Sequence, residues 1–275
     1  MSIARLRLSI HPPAGFTPAT VPAEDPIPHP TPAAPPAADP GDGTFYDGRD
    51  LEAMSHAVRY HHWVVGELAP YLGRDVAEIG AGTGNVSRLL LDGGIGHLTA
   101  VEPSPQMYPL LRRTLAGEPR ATVLQGRLGG PGTSWNARFD SIVYLNVLEH
   151  VDDDAGELRR AYAALRPGGH LCIFVPALQW LYGRLDAEVG HRRRYHRAAL
   201  GALVKDAGFD IVRLRYFDAP GVLPWFVLIR LLRRELNGTG VGAYDRWVVP
   251  IARAVERIVP PPIGKNLLCI ARKPA

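Results

Sequence analysis

Apolar positions along this chain fall into two rhythms that alternate. From Asp50 to Tyr71, the positions Met54, Ala57, Val58, His61, Val64, Val65 and Leu68 recur at helical spacing. Short apolar runs follow at 75–80, 97–102, 121–124, 139–145, 170–175, 210–216 and 266–273, and these read as strands. Between them, helical spacing appears at 85–91, 104–115, 155–165 and 197–207. Such alternation predicts an α/β fold in which helices cover both faces of a mostly parallel sheet, with any ligand outside the carboxyl ends of the strands. Two stretches exceed that plan, the loop 176–196 and the span 218–265. Both leave or rejoin the carboxyl edge, so both are expected to build a substrate pocket.

The most informative segment is Val76-Ala77-Glu78-Ile79-Gly80-Ala81-Gly82-Thr83-Gly84-Asn85. An apolar run breaks into three alternating glycines, and a helical pattern starts at once. A strand, a tight glycine turn and a helix N-terminus let the backbone approach a nucleotide-like ligand closely. The run at 97–102 ends in Glu102, a carboxylate placed to accept hydrogen bonds from two ribose hydroxyls. A P-loop is excluded, because no Gly-Lys-Ser/Thr follows the turn. The spacing also departs from a dinucleotide fingerprint. Glu78 in the strand would repel a pyrophosphate and suits an ammonium group.

These residues resemble the first motif and the acidic second-strand end of the class I S-adenosylmethionine-dependent methyltransferases. The likeness continues in order through Phe139–Tyr144, Leu145–Val151 and Leu165–Leu171, and covers roughly Tyr60 to Lys273. It implies a Rossmann-like seven-stranded sheet whose last strand runs antiparallel between the fifth and sixth, with a helical insert before that strand. It implies S-adenosyl-L-methionine as cofactor, seated on Glu78, Gly80, Ala81, Gly82, Gly84, Asn85, Glu102 and Pro103, with Asn146 and Val147 beyond the fourth strand. After the third strand many members carry an acidic residue near adenine. Here Gln125-Gly126-Arg127-Leu128 stands there instead, so adenine is expected to meet the backbone at Arg127 and Leu128. Tyr60 and Trp63, one helical turn apart, either close over the methionine end of the cofactor or pack on the core.

Methyl transfer is an in-line displacement in which positioning does most of the work, and a base is needed only where the acceptor loses a proton. The densest polar cluster is Leu181–Tyr195, directly after the fifth strand. Its D-x-x-x-G-H-x-R-R-Y pattern resembles one shared by a subgroup of small-molecule methyltransferases. On the catalytic reading His191 is the general base, Asp186 its orienter, Tyr195 a further catalytic group, and Arg193 or Arg194 a clamp for a carboxylate or phosphate. On the plainer reading, the Arg and His residues hold the loop's own backbone. Glu149-His150 resembles a segment that supplies metal ligands in ubiquinone-pathway O-methyltransferases, which have an acidic residue where this chain has Asn146. At most two good ligands remain, so no metal is expected. His61 and His62 read as solvated or capping residues, and Asp152-Asp153-Asp154 as the N-cap and first turn of a helix.

Composition narrows the partners. With 31 basic against 27 acidic residues in 275, and no basic stripe interleaved with aromatics, nucleic acid is not suggested. Cys172 and Cys269 sit in apolar runs and read as small buried hydrophobes in a reducing cytosol. Pro/Ala-rich residues 1–43 read as a disordered leader without a secretory pattern, ahead of one domain over 44–275. The apolar runs within 223–259 are too short to span a membrane, and form either a helical cap or a hydrophobic lid or lipid-contacting surface. The expectation is a cytoplasmic methyltransferase acting on a small, hydrophobic or natural-product-like acceptor, at oxygen first and at nitrogen or carbon otherwise. The alternatives are an RNA or protein methyltransferase, or a non-catalytic S-adenosylmethionine-binding protein. Oligomeric state is not readable from the sequence.

Overall fold

Seven strands form one sheet in the order β3-β2-β1-β4-β5-β7-β6. They are β1 (Asp75–Ile79), β2 (His97–Glu102), β3 (Ala121–Gln125), β4 (Phe139–Leu145), β5 (Leu165–Pro176), β6 (Asp210–Phe217) and β7 (Asn266–Arg272). The first five pair in parallel, and β7 runs antiparallel between β5 and β6, as the resemblance implied. The structure is a computed structural model and describes residues 54–234 and 237–275; the leader expected over 1–43 lies outside them.

Both sheet faces are buried, which is why the strands read as near-continuous apolar runs. Alternate residues feed two core layers. Ala77, Ile79, Ile142 and Tyr144 pack on one side with Leu158 and Leu200, while Val76, Leu98, Ala100 and Val143 pack on the other with Leu68 and Leu111. The covering helices are α1 (Val58–Leu68), α2 (Asn85–Asp92), α3 (Tyr108–Thr114), α4 (Asp154–Ala164), α5 (Arg184–Glu188) and α6 (Arg197–Asp206). Cys172 and Cys269 are buried and unpaired in the sheet.

Local pattern placed β2 and β4 at their observed bounds but misplaced three other features. β5 begins at Leu165, earlier than periodicity suggests, because its Arg-Pro-Gly-Gly segment is tied to β7 through Gly168 N–H donating to the Lys273 carbonyl at 3.0 Å. The loop 176–196 contains α5 and a short 3-10 turn, Gln179–Leu181. In the insert, a helical turn (Val222–Pro224) runs into a π-helix (Trp225–Leu231), and a helix α7 of 21 residues spans Gly238–Ile258. The sequence reads as a helix over Trp247–Val259, and the three glycines at 238, 240 and 242 hide its earlier start from propensity reasoning. It forms because Asn237 caps it and because its buried Asp245 accepts hydrogen bonds from the backbone N–H groups of Arg59 (3.0 Å) and Tyr60 (2.8 Å). Asp245 thereby caps α1, which has no cap of its own. Among the described residues, no helix is long and apolar enough to cross a membrane.

Candidate functional site

A cleft of about 620 Å³ opens at the carboxyl ends of β1, β2 and β4. Its floor is the glycine turn. Gly80, Gly82 and Gly84 adopt φ values of +72°, +55° and +87°, a region that disfavours side chains. At Gly80 a Cβ would stand 2.5 Å from Val147 Cγ2, so β1 and the segment after β4 touch only because this residue has no side chain. Gly84 has another task. A Cβ there would meet Leu111 at 2.9 Å and Thr114 at 3.0 Å, so Gly84 lets α2 pack against α3 and does not line the cleft.

Glu102 closes the turn from β2. One carboxylate oxygen accepts the Gly82 N–H and the other the Ser104 N–H, each at 2.8 Å. Burial pushes its carboxyl up, opposed by those two N–H donors. Each oxygen keeps a lone pair for a ligand hydroxyl. Glu78 lies deeper, 3% exposed, and accepts a 2.5 Å hydrogen bond from Ser87. Burial raises its carboxyl to about 8 despite the Ser87 bond. The cleft therefore fits S-adenosylmethionine: Glu102 could accept bonds from ribose hydroxyls, Glu78 could face an ammonium group, and bare glycine backbone lies between them.

Ala81, Asn85, Pro103, Arg127, Leu128, Asn146, Val147 and Tyr60 also line the cleft, so the structure gathers all but Gly84 of the expected cofactor residues on one wall or another. Asn146 stands at φ +53°, a conformation Asn tolerates better than most residues, as the chain turns out of β4 into the cleft. The aromatic pair divides. Tyr60 borders the cleft and its hydroxyl meets Asn266 Oδ1 at 3.0 Å, whereas Trp63 is 1% exposed and stacks on Phe217 at 3.9 Å. Trp63 is core. His61, read as solvated or capping, lines the cleft, and burial lowers its pKa; His62 bonds the Val58 carbonyl at 2.8 Å.

The polar loop is mostly self-supporting. Asp186, 1% exposed, accepts from Gly183 N–H (2.9 Å) and from Arg194 Nε (2.8 Å), and lies 2.9 Å from His191 Nδ1. Burial would raise its carboxyl, but the His191 hydrogen bond and the Arg194 guanidinium outweigh burial and hold it low. Neither expected clamp is free. Arg194 is buried against Asp186 and over the Trp225 ring, and Arg193 pairs with Asp154 at 2.8 Å. Tyr195 is likewise engaged elsewhere and not a catalytic group of the cleft. It is 5% exposed, lies outside the cleft, and its hydroxyl is 2.9 Å from Asp154 Oδ2 and 3.1 Å from the Leu148 carbonyl. Of the three expected catalytic groups, only His191 reaches the cleft wall.

Opposite His191 stands a group the sequence undervalued. Glu149 is fully buried, and neither carboxylate oxygen has a hydrogen-bond partner among the described residues. His191 Nε2 is 3.8 Å away. Burial raises the Glu149 carboxyl to about 7, against the pull of His191 and Arg194. His150 packs edge-on against His191 at 4.8 Å, and burial with the His191 charge lowers its pKa to about 4. Ligand atoms of Glu149, His150 and His191 lie within 4.8 Å of one another. The sequence suggested at most two metal ligands, and folding supplies a third donor. Sequence reasoning also missed Glu157 and Arg160, paired at 2.8 Å on the cleft wall; their spacing of three on a helix was the only signal. Asp153 caps α4 as expected, accepting from Gly156 N–H at 2.8 Å.

Comparison with known proteins agrees with this geometry. A family model described as a methyltransferase domain matches residues 45–214. A ubiquinone biosynthesis O-methyltransferase of Methylocella silvestris is 32% identical over 186 residues, covering 64% of this chain and 61% of that one. A probable S-adenosylmethionine-dependent methyltransferase of Mycobacterium tuberculosis is 30% identical over 176 residues, 62% of each chain. The match thus spans about three fifths of the length of these relatives. Among solved structures, a Haloferax volcanii methyltransferase bound to the Trm112 activator superposes with TM-score 0.58 at 17% identity, over 83% of this chain and 95% of that one. Phosphoethanolamine N-methyltransferase 2 of Haemonchus contortus gives 0.57 at 16%, over 84% and 59%. At such identities these two likenesses concern the fold alone. The chain belongs to the class I S-adenosylmethionine-dependent methyltransferases.

Proposed function

We propose that this protein transfers the methyl group of S-adenosylmethionine to an oxygen of a small, largely apolar acceptor, with His191 as general base. The observation that carries the reading is the pairing of His191 with Asp186 at the cleft wall. Asp186 fixes the imidazole ring and, with Nδ1 protonated, leaves Nε2 as the proton acceptor. The bound cofactor supplies a methyl on a positively charged sulfur. His191 would take the proton that the acceptor hydroxyl loses as its oxygen accepts the methyl, and the cofactor's sulfur would leave with the electron pair of the carbon–sulfur bond. Glu149 beside Nε2 stabilises the imidazolium that results. Oxygen is preferred because one relative is named as an O-methyltransferase.

A second reading rests on Glu149. The donor set of Glu149, His150 and His191 suits one divalent cation, which would polarise an acceptor hydroxyl in place of a base. Methyl-labelled S-adenosylmethionine incubated with the protein and a lysate of its source, then split into organic, aqueous-metabolite, RNA and protein fractions, tests the reading. Label in the organic or metabolite fraction supports it. Label in RNA or protein replaces the acceptor class. Cofactor binding without label anywhere favours a non-catalytic binding protein.

A further inference from the structure

The outer face of α7 has no partner among the described residues, although its side chains are not those of a solvated helix. Its inner stripe, Asp245, Val249, Ala252 and Glu256, is buried on the domain. The opposite stripe carries Trp247, Ile251, Val255 and Ile258, at i, i+4, i+8 and i+11, with exposures of 66%, 68%, 56% and 81%. Beside it, at a second helical spacing, run Arg246, Arg253 and Arg257, all exposed. The π-helix segment repeats the pairing, with Leu223, Leu231 and Leu232 exposed next to Arg230, Arg233 and Arg234.

The charges decide what this face meets. Both described acidic residues between 222 and 263, Asp245 and Glu256, point inward. The exposed charges of the segment are six arginines, and none makes an ion pair with a described residue. A two-fold contact between copies through this face would set arginine rows against each other with no exposed carboxylate among the described residues of 222–263 to answer them. Bulky apolar side chains along the apex, Trp among them, with arginines alongside suit the boundary between lipid headgroups and acyl chains.

We propose that the outer face of α7, with the exposed apolar and arginine side chains of 223–234, docks the protein flat on an anionic lipid bilayer. The helix lies parallel to the surface, apolar stripe inserted and arginines among phosphates. This inference stands independently of the methyl acceptor and of His191.

The test is co-sedimentation of the full chain with phosphatidylcholine vesicles, with and without phosphatidylglycerol. Binding is expected only with phosphatidylglycerol and should be released in about 0.5 M salt. The triple variant Arg246→Gln/Arg253→Gln/Arg257→Gln should partition roughly 100-fold more weakly, at about a fivefold loss per arginine. The double variant Trp247→Ser/Ile251→Ser should lose binding even at low salt. Both variants alter exposed positions, and an unchanged melting temperature would verify their fold. Equal sedimentation with and without phosphatidylglycerol, or binding indifferent to both variants, overturns the proposal. So does self-association in light scattering that the Trp247→Ser/Ile251→Ser variant abolishes, because a second copy would then own the face.

Discussion

His191 Nδ1 stands 2.9 Å from Asp186 Oδ1, and the same oxygen accepts from Arg194 Nε at 2.8 Å. One carboxylate therefore serves two tasks, and two variants separate them. His191→Asn should leave cofactor affinity unchanged and lower turnover by about 10²- to 10⁴-fold. Asp186→Asn should cost about 3 kcal/mol of stability, because it leaves the buried Arg194 without its counter-charge. Calorimetric cofactor titration, turnover with an identified acceptor and urea unfolding check the pair. Unchanged turnover in His191→Asn would remove it as the base.

Glu102 holds the turn that it also offers to the ligand. Glu102→Ala releases the N–H groups of Gly82 and Ser104, each bond to a charged acceptor being worth about 1.5–3 kcal/mol. Cofactor affinity should fall at least roughly tenfold by equilibrium dialysis, with a lower melting temperature. Gly82→Val should abolish cofactor binding, since φ there is +55° and a side chain would occupy the ligand's approach. Retained binding in that variant would move the cofactor seat elsewhere.

Glu78 links cofactor binding to protons. Its carboxyl is raised from 4.5 to about 8, so the protonated form is favoured in the folded protein. The stability it contributes is fully present below about pH 4.5 and is lost as pH rises through about 8. An ammonium group nearby favours the ionised form. Cofactor binding near pH 7 should therefore release roughly one proton, seen as buffer-dependent heats in calorimetry. In Glu78→Gln that dependence should vanish and the stability profile over this range should flatten. Heats identical in buffers of different ionisation enthalpy would disprove the linkage.

Glu149 offers a cleaner choice between the two chemical readings. If its unpartnered carboxylate awaits a cation, zinc or manganese at about 100 times its dissociation constant should stabilise the protein by about 2.7 kcal/mol, and Glu149→Leu should erase the effect. If it serves only the His191 imidazolium, these metals leave the melting temperature unmoved and a chelator leaves turnover intact.

Much of this was legible because it is local. The strand that breaks at Gly80, the helix that starts at Asn85 and the carboxylate ending β2 are set by neighbours within a few residues. They appear in the structure with little change. The loop 176–196 was legible as polar but not in its directions. Arg193, Arg194 and Tyr195 looked available for chemistry alongside His191, yet packing turned Arg194 and Tyr195 inward and paired Arg193 with Asp154. Tyr195 and Asp154 meet across 41 residues of chain, a distance on which spacing says nothing.

The sequence by itself determined the architecture and the cofactor. Periodicity reports which residues must be buried, and a glycine turn needs nothing beyond its own backbone to admit a ligand. Only the tertiary structure decided that Glu149 faces His191, that Asp245 caps a helix far away in the chain, and that α7 turns its arginines and Trp247 outward. Those relations join segments distant in sequence. They follow from which faces the sheet buries, and a burial pattern names the buried face without naming its neighbour.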